Sequence, residues 1–343
     1  HAPFSGNYIS SDRPFVSIDL PYGYRRFEFR LHDNESDEQM VRPEEVEKLI
    51  RAQFNWTGPM PGLERARVYS HHSRVANRFH VGRTFLAGDA AHLQPPWFGQ
   101  GMNSGIRDAA NLAWKLAAVV RHGISAEVLE TYGQERRGHA RALVELATTL
   151  GKVYGPKTKL GEKARSYGLR AMQRIPASRD YLLQMKFKPM PFYSEGVVLD
   201  PAPKAPVGRM FIQPDVEVDG VRAKLDETAG DWFAVIGVNI DPLDHLDDEQ
   251  AEYWRTIGAR FLRVNRSRAG QHLLHTGSET VLLDDVQGGF RDWCRGRPDR
   301  EILVLRPDRY LAAACSRADA NEMTQRFSAV LPLKAKTSQT VNH

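Results

Sequence analysis

The sequence predicts an α/β protein of mixed α+β character, and three observations support that class. Residues Phe15–Leu20 and Arg25–Leu31 alternate apolar and polar side chains, as half-buried strands do. The short apolar run Thr84–Ala87 leads through a glycine-rich segment into a long helical pattern. From Pro206 onward, strand and helix patterns alternate, and a hairpin followed by a helix completes the pattern.

The first part of the chain is predicted to form a small sheet with one helix. Pro21–Tyr24 provides the turn between the two strands, Pro43–Phe54 is an amphipathic helix, and Arg65–Tyr69 is a further strand. The second strand separates its side chains by face, with Phe27, Phe29 and Leu31 opposite Arg26, Glu28 and Arg30. The charged face is interpreted either as solvated ion pairs or as a surface that contacts a substrate.

The central stretch carries the strongest indication of a ligand site. Thr84–Ala87 is predicted to be a strand buried on both faces, so Asp89 lies just beyond its carboxyl end, where open α/β sheets bind ligands. Pro95-Pro96 stiffens the connection, and Gly99 and Gly101 let the backbone approach a ligand closely. The helix that follows should begin near Asn103 or Ser104, either of which can cap it.

Helices dominate the next part of the chain. The helix Ser104–Arg121 is predicted to bury a broad apolar face and to end at Gly123. That face consists of Ile106, Ala109, Ala110, Ala113, Leu116, Ala117 and Val120. Ser125 should cap a second helix running to about Leu150, and a helical connector should span Lys159–Met185. The charges of the second helix are interpreted as a structural ion-pair face: Glu135, Arg136, Arg137 and Arg141.

The last part of the chain is predicted to resemble a thioredoxin-like domain. Its predicted strands are Trp232–Val238, Phe261–Val264, Glu301–Leu305 and Tyr310–Ala314, and its predicted helices are Asp247–Gly258, Gly289–Cys294 and Ala318–Val330. The two cysteines, Cys294 and Cys315, form no Cys-x-x-Cys pair, so thiol–disulfide chemistry is not expected. The polar tail after Leu333 is expected to fray.

Composition excludes several classes of function. Of the 343 residues, 41% are hydrophobic and 26% charged, which is ordinary for a globular protein. The net charge of +5 includes no basic run interleaved with aromatic residues, so nucleic acid is not an expected partner. No apolar run is long enough to cross a membrane, and no signal-peptide pattern is present, so a cytoplasmic protein is expected. His71-His72 lacks further ligands at a metal-site spacing, so no metal is expected.

The order Gly88-Asp89, Pro95-Pro96 and Gly99-Gln100-Gly101-Met102-Asn103 before a helix resembles the second FAD motif of the FAD-dependent aromatic-ring hydroxylases of the p-hydroxybenzoate hydroxylase type. Blocks along the whole chain are similar to the subgroup that acts on 3-(3-hydroxyphenyl)propionate: Arg25–Phe29, Ser104–Leu116, Tyr132–Arg137, Phe187–Pro191, Gly208–Pro214 and Arg306–Tyr310.

The resemblance implies a set of FAD-contacting residues. Asp89 would accept a hydrogen bond from the ribityl chain, and the Pro96 carbonyl would lie near the flavin and substrate. Backbone N–H groups of Gln100–Asn103 would approach the pyrimidine end of the flavin. The implied cofactor-binding set is Phe85, Leu86, Ala87, Gly88, Asp89, Ala90, Ala91, His92, Pro96, Gln100, Gly101, Met102 and Asn103. A structural role is favoured for His92, and no general base is assigned.

The implied reaction uses NADH to reduce FAD and dioxygen to hydroxylate a phenolic aromatic acid ortho to its hydroxyl group. The implied substrate is 3-(3-hydroxyphenyl)propionate, giving the 2,3-dihydroxy product; another phenol is the near alternative. A homodimer is compatible with the resemblance. An alternative from another class is a non-catalytic flavoprotein remnant that serves as a binding or assembly module.

The sequence also predicts an incomplete nucleotide site. It contains no Gly-x-Gly-x-x-Gly, and no strand–turn–helix unit before Tyr69 could pair with Thr84–Ala87. A further nucleotide-binding half is therefore expected to pack against Thr84–Ala87 and the helix Ser104–Arg121. The expected organisation is 1–66 for the substrate-domain sheet and helix, 67–150 for the later part of a Rossmann-like FAD domain, 151–196 for connector and linker, 197–333 for the thioredoxin-like domain and 334–343 for the tail.

Overall fold

A computed structural model describes residues 5–9, 12–54, 57–60, 62–96, 99–154, 159–265 and 279–335. The α-helices within these ranges are α1 (Asp37–Met40), α2 (Pro43–Phe54), α3 (Gly101–Arg121), α4 (Thr131–Tyr154), α5 (Lys159–Arg174), α6 (Pro176–Leu183), α7 (Leu225–Ala229), α8 (Asp248–Ile257), α9 (Gly289–Cys294) and α10 (Ala320–Val330).

The strands within the same ranges are mostly short outside the last third of the chain. They are β1 (Gly6–Tyr8), β2 (Phe15–Asp19), β3 (Arg25–Phe29), β4 (Arg74–Val75), β5 (His80–Val81), β6 (Thr84–Phe85), β7 (His92–Leu93), β8 (Asp215–Val218), β9 (Val221–Lys224), β10 (Ala234–Val238), β11 (Arg260–Asn265), β12 (Thr280–Asp285), β13 (Ile302–Leu305) and β14 (Leu311–Cys315).

The chain divides into two compact units. The first comprises 1–74, 92–101 and 142–189, and the second comprises 75–91, 102–141 and 190–343, each within the described ranges. Both units draw on distant parts of the chain.

The first unit contains an antiparallel sheet in the order β1-β2-β3. One face of this sheet packs an aromatic cluster around Phe15, whose ring lies 4.4 Å from that of Tyr8 and 4.9 Å from that of Phe54 in α2. Helix α2 has the predicted limits and presents Ile50 to the interior. The predicted hairpin and helix are therefore confirmed.

One prediction in the first unit is wrong, because Arg65–Tyr69 is extended but pairs with no strand among the described residues. The segment Lys159–Met185 is helical over most of its length, as predicted. It consists of two helices, because Pro176 has no N–H to continue α5 and instead begins α6.

The second unit is built around a mixed seven-stranded sheet in the order β14-β13-β10-β11-β12-β8-β9. Strand β11 pairs in parallel with both β10 and β12. The remaining pairs of the sheet are antiparallel. The predicted order of strand, helix, strand and then hairpin with helix is confirmed, although β8, β9 and β12 were not predicted. The specific likeness to thioredoxin stays a prediction.

Helices of the central stretch share the core of this sheet. Trp114 and Ala118 of α3 lie in one apolar cluster with Phe233, Trp254 and Phe327. The Trp114 and Phe233 rings meet edge to face, with centroids 5.4 Å apart. The C-terminal sheet and α3 therefore belong to one continuous packing unit.

The helix predicted to begin after Ser125 has a different start. Ser125 does cap a helix, since its side chain accepts a hydrogen bond from the Glu127 N–H, but this first segment is a 3-10 turn over Ala126–Glu130. The α-helical part is α4, which extends past the predicted end at Leu150 to Tyr154.

Candidate cofactor site

Asp89 lies in a single 3-10 turn, Gly88–Ala90. Two residues connect this turn to the end of β6. The Asp89 side chain is exposed, while Ala91 beyond it is buried against Phe79 and Tyr132. The turn therefore directs a carboxylate outward from a packed base.

The strand before this turn differs from the prediction. Only Thr84–Phe85 is paired, antiparallel to His80–Val81, and the Leu86 N–H continues the ladder to the Phe79 carbonyl at 2.8 Å. Residues Phe85, Leu86 and Ala87 are half-buried and Thr84 is exposed. The prediction that Thr84–Ala87 is a strand buried on both faces with no partner in the chain is thus wrong, because its partner is His80–Val81, just upstream.

Side chains of α3 and α4 fix the backbone of the turn. The Gly88 N–H donates to Asp108 Oδ2 at 3.1 Å, and Asp108 Oδ1 accepts from Arg136 Nε at 2.8 Å. Both Asp108 and Arg136 are fully buried. The Tyr132 O–H donates to the Leu86 carbonyl at 2.8 Å. Gly88 has a φ of +57°, a conformation that favours glycine.

Helix α3 begins at Gly101, so Asn103 and Ser104 lie inside its first turn and the predicted capping role for either is wrong. Met102 is 75% exposed, and the first turn contains no acidic side chain. The first N–H groups of a helix have no partner within it and carry partial positive charge. This end of α3 therefore suits an anionic group supplied from outside the helix.

The remaining predicted cofactor residues are distributed between the two units. Asp89, Met102 and Asn103 belong to the second unit, whereas His92, Pro96, Gln100 and Gly101 belong to the first. His92 is buried and Pro96 is exposed. Buried His92 fits the structural role favoured for it.

Helix α3 buries a different face from the one predicted. The face that was expected to pack includes Ile106, Leu116 and Val120, which are 58%, 37% and 78% exposed. The buried residues are instead Ser104, Asp108, Asn111, Trp114, Lys115 and Ala118. Four of these are polar and recur at helical spacing, so they form a polar stripe directed into the protein.

The polar stripe meets Glu135 of α4, which is the centre of a buried ionic network. Glu135 Oε2 accepts from Asn111 Nδ2 at 2.6 Å and from Lys115 Nζ at 2.8 Å. Arg306 donates to both Glu135 oxygens and also pairs with Asp308 at 2.7 Å. Two cations and two carboxylates balance the charge of this network, as burial requires.

Burial and charge act in opposite directions on the pKa values of this network. Burial alone would raise the pKa of Glu135, but Arg306 and Lys115 hold it below its usual range. Burial lowers the pKa of Lys115 to about 8, against the opposing attraction of Glu135. The predicted ion-pair cluster is therefore present for Glu135 and Arg136, but it is buried, whereas Arg137 and Arg141 are exposed.

A second polar cluster lies on the sheet of the first unit. Glu28 of β3 accepts a hydrogen bond from the Tyr69 O–H at 2.5 Å and pairs with Arg26 Nε at 2.7 Å. Burial, followed by the Glu28 carboxylate, raises the pKa of Tyr69 to about 12, so Tyr69 stays a neutral donor. Arg26 remains 53% exposed, whereas Arg25 is held by Ser17 and Asp19.

Comparison with known proteins shows which proteins this chain is similar to. Residues 5–147 match the family described as FAD binding domain, and residues 208–330 match the HcaD C-terminal domain. A 3-(3-hydroxy-phenyl)propionate/3-hydroxycinnamic acid hydroxylase of Burkholderia cenocepacia (strain HI2424) is 43% identical over 330 residues, which is 95% of this chain. The chain is therefore similar to FAD-dependent aromatic hydroxylases over most of its length.

A second relative of the same name gives the same result. The relative of that name from Mycobacterium avium (strain 104) is 42% identical over 89% of this chain. The chain spans 60% and 53% of the lengths of these two relatives.

Solved structures share the fold of this chain. The flavin-dependent monooxygenase PieE, in complex with FAD and substrate, superposes with a TM-score of 0.67 at 19% identity and covers 93% of this chain and 59% of its own. Aklavinone-11 hydroxylase with FAD and aklavinone gives 0.65 at 22% identity, over 93% of this chain and 57% of its own.

The role of two residues that support the Gly88–Ala90 turn was not predicted from the sequence. Asp108 and Arg136 support the Gly88–Ala90 turn, yet neither was predicted to do so. The available signal was the spacing of Ser104, Asp108, Asn111 and Lys115, because polar residues at a helical period on an otherwise apolar helix indicate a partnered buried stripe.

The described residues contain no group of three or more His, Cys, Asp or Glu side chains arranged to hold a metal ion. Within the same part of the chain, none of the helices is long and apolar enough to cross a membrane.

Proposed function

We propose that this chain forms the later FAD-binding and C-terminal parts of an FAD-dependent monooxygenase that hydroxylates a phenolic aromatic acid. The observation that carries the proposal is the exposed Asp89 carboxylate, which stands on a turn fixed from below by Asp108 and packed against α3. An outward carboxylate on a rigid turn can accept hydrogen bonds from a polyol.

The residues present fit FAD in two respects. Asp89 would accept hydrogen bonds from ribityl hydroxyl groups. The N–H groups at the start of α3, near Met102 and Asn103, would favour negative charge on the flavin ring, since the first turn contains no acidic side chain. Bound FAD would accept electrons from a nicotinamide and transfer one oxygen atom of dioxygen to the substrate.

The substrate class follows from the relatives and from the sheet of the first unit. Relatives at 43% and 42% identity are named hydroxylases of 3-(3-hydroxyphenyl)propionate and 3-hydroxycinnamic acid. Both compounds combine a phenol with a carboxylate. On β3, Arg26 presents an exposed guanidinium above a half-buried floor of Val16 and Ile18, which suits an aromatic acid.

The proposed reaction balances with one equivalent each of substrate, NADH, a proton and dioxygen. One oxygen atom enters the ring ortho to the phenol hydroxyl, and the other leaves as water while NADH becomes NAD⁺. For 3-(3-hydroxyphenyl)propionate the product is the 2,3-dihydroxy compound. NADH as the reductant and a cytoplasmic location are parts of this proposal.

The test is turnover of 3-(3-hydroxyphenyl)propionate by the polypeptide made from its own gene, with all flanking sequence kept. Dioxygen labelled with heavy oxygen should place one labelled atom in a 2,3-dihydroxy product, with NADH consumed in equal amount and faster than NADPH. A purified polypeptide without flavin absorbance, or NADH oxidation that yields no labelled product, would contradict the proposal and favour a binding module.

We also propose that a nucleotide-binding segment covers the exposed apolar face of α3. This face presents Met102, Ile106 and Val120 to solvent, and isolated apolar side chains rarely align so regularly on a free helix. The named relatives are longer than this chain, which leaves room for such a segment. Hydrogen exchange across α3, compared between the 343 residues alone and the polypeptide from its gene, should show added protection of this face in the latter; equal exchange would contradict it.

A further inference from the structure

The turn that carries Asp89 is fixed by three separate contacts from two helices. Asp108 of α3 accepts from the Gly88 N–H, and Tyr132 of α4 donates to the Leu86 carbonyl. In addition, the α3 backbone approaches the turn so closely that a Cβ on Gly105 would lie 3.3 Å from the Gly88 Cα. The position of Asp89 is therefore set by residues that do not themselves face the ligand.

The Asp108 carboxylate is well suited to hold this turn without moving. One oxygen accepts the Gly88 N–H, and the other accepts from Arg136 Nε at 2.8 Å. Both side chains are completely buried, so solvent does not screen the pair. Arg136 Nη2 also reaches the Ser104 carbonyl at 3.5 Å, which ties the guanidinium to the first turns of α3.

We infer that Asp108, held by Arg136, and Gly105 are positioning residues for the Asp89 carboxylate. They set the place of the acceptor that would receive the ribityl hydroxyl groups of FAD, and they do so through the backbone of Gly88. This inference rests on the proposed FAD site at Asp89.

Gly105 allows a test that leaves every charge in place. Gly105→Ala pushes against the Gly88 backbone, and the turn must yield by a few tenths of an ångström. Gly138→Ala is the matched control, because Gly138 lies inside α4 and a Cβ there meets no atom within 4 Å. Both substitutions improve helix propensity equally, so their difference isolates the contact with the turn.

Two readouts separate the inference from the proposed function. Amide hydrogen exchange at Gly88 without FAD reports whether the turn is held, and titration of the apoprotein with FAD reports whether holding it matters. Gly105→Ala should accelerate Gly88 exchange and raise the FAD Kd about tenfold, the lower end of the range for a bond to a charged group, relative to Gly138→Ala. The Gly105→Ala and Gly138→Ala apoproteins should have the same melting temperature.

Tyr132→Phe is the second variant, for use if Gly105→Ala lowers the melting temperature. It removes only the O–H that holds the Leu86 carbonyl, and it should also weaken FAD binding relative to Gly138→Ala. If both variants bind FAD like the control while Asp89→Ala binds it weakly, the positioning role is overturned and the FAD site stands. If Asp89→Ala itself binds FAD normally, the FAD site at Asp89 falls and the inference falls with it.

Discussion

Arg306 donates two hydrogen bonds to the carboxylate of Glu135, from Nη1 to Oε1 at 2.8 Å and from Nη2 to Oε2 at 2.7 Å. Neither side chain is exposed to solvent. The residues are 171 positions apart in the chain, so this pair joins the turn after β13 to α4. Glu135 is followed by Arg136, which pairs with Asp108 beneath the candidate cofactor turn. The C-terminal sheet and the candidate cofactor turn are thus supported by adjacent residues of one helix.

Glu135→Gln should be strongly destabilising. It leaves Arg306 and Lys115 buried without their shared counter-ion, and breaking a buried pair in this way costs about 3–5 kcal/mol. Urea unfolding should show this loss, whereas Glu145→Gln, at an exposed position of the same helix, should change the free energy of unfolding by no more than about 0.5 kcal/mol. Equal stabilities for the two variants would mean that the network contributes little.

The same carboxylate predicts the sign of an acid transition. The pKa of Glu135 in the folded protein lies below its ordinary value of 4.5, so its contribution is present above about pH 4.5 and is lost as the pH falls toward the folded pKa. Stability measured between pH 6 and about pH 3 should therefore decline, and Glu135→Gln should flatten part of that slope. A slope that is the same in both proteins would assign the acid sensitivity to other carboxyl groups.

The sequence alone predicted those elements whose structure is determined by residues close together in the chain. Helices α2 and α9 were predicted to the residue, and α8 ends at Ile257, where Gly258, with a φ of +82°, forms its C-terminal cap. Proline, glycine and helical periodicity are signals carried within a few residues. The strands β8 and β9 were missed, because Asp215–Val218 and Val221–Lys224 mix charges with only short apolar runs.

The buried face of α3 could not be predicted from local pattern. Apolar periodicity favoured the side with Ile106 and Val120, but the protein buries Asp108, Asn111 and Lys115. Their partners, among them Glu135 and Asp308, lie between 20 and 197 positions away along the chain. A polar residue is buried only where its partner is present, and the partner is a property of the tertiary fold.

The candidate site shows the same division. The position of Asp89 just after a strand and a glycine was predicted from the sequence, and the structure places Asp89 there, in the Gly88–Ala90 turn. The burial predicted for the preceding strand was wrong, because burial depends on what packs against Phe85 and Leu86 from elsewhere in the chain. Whether the thirteen predicted cofactor residues contact FAD stays a prediction.

Recognition of the substrate carboxylate should depend on charge. If Arg26 meets that carboxylate, the methyl ester of 3-(3-hydroxyphenyl)propionate should lose most of its kcat/KM, because a charged hydrogen bond contributes about 1.5–3 kcal/mol. Arg26→Gln should lower kcat/KM for the acid and leave that for the ester nearly unchanged. Arg42→Gln, at an exposed position between α1 and α2, is the control. Equal turnover of acid and ester by the unaltered protein would reject an anionic-substrate pocket.

The C-terminal domain should show no thiol–disulfide activity. Cys294 and Cys315 are both buried and are not joined by a disulfide, and burial raises the pKa of Cys315 to about 12, which disfavours the reactive thiolate. The native protein should react slowly with a thiol-specific reagent, and a Cys294→Ser, Cys315→Ser double variant should retain hydroxylation. Loss of turnover in a double variant that still binds flavin would contradict a purely structural role for these thiols.

FAD titration of Asp89→Ala apoprotein tests the central claim most directly. The control is Asp299→Ala, at another exposed position of the second unit, and the starting material is the polypeptide from its own gene. Removing an acceptor of charged hydrogen bonds should raise the FAD Kd by about 10- to 150-fold, with the melting temperature of the apoprotein unchanged. An FAD Kd for Asp89→Ala equal to that of Asp299→Ala and of the unaltered protein would contradict the assignment of this turn to the cofactor.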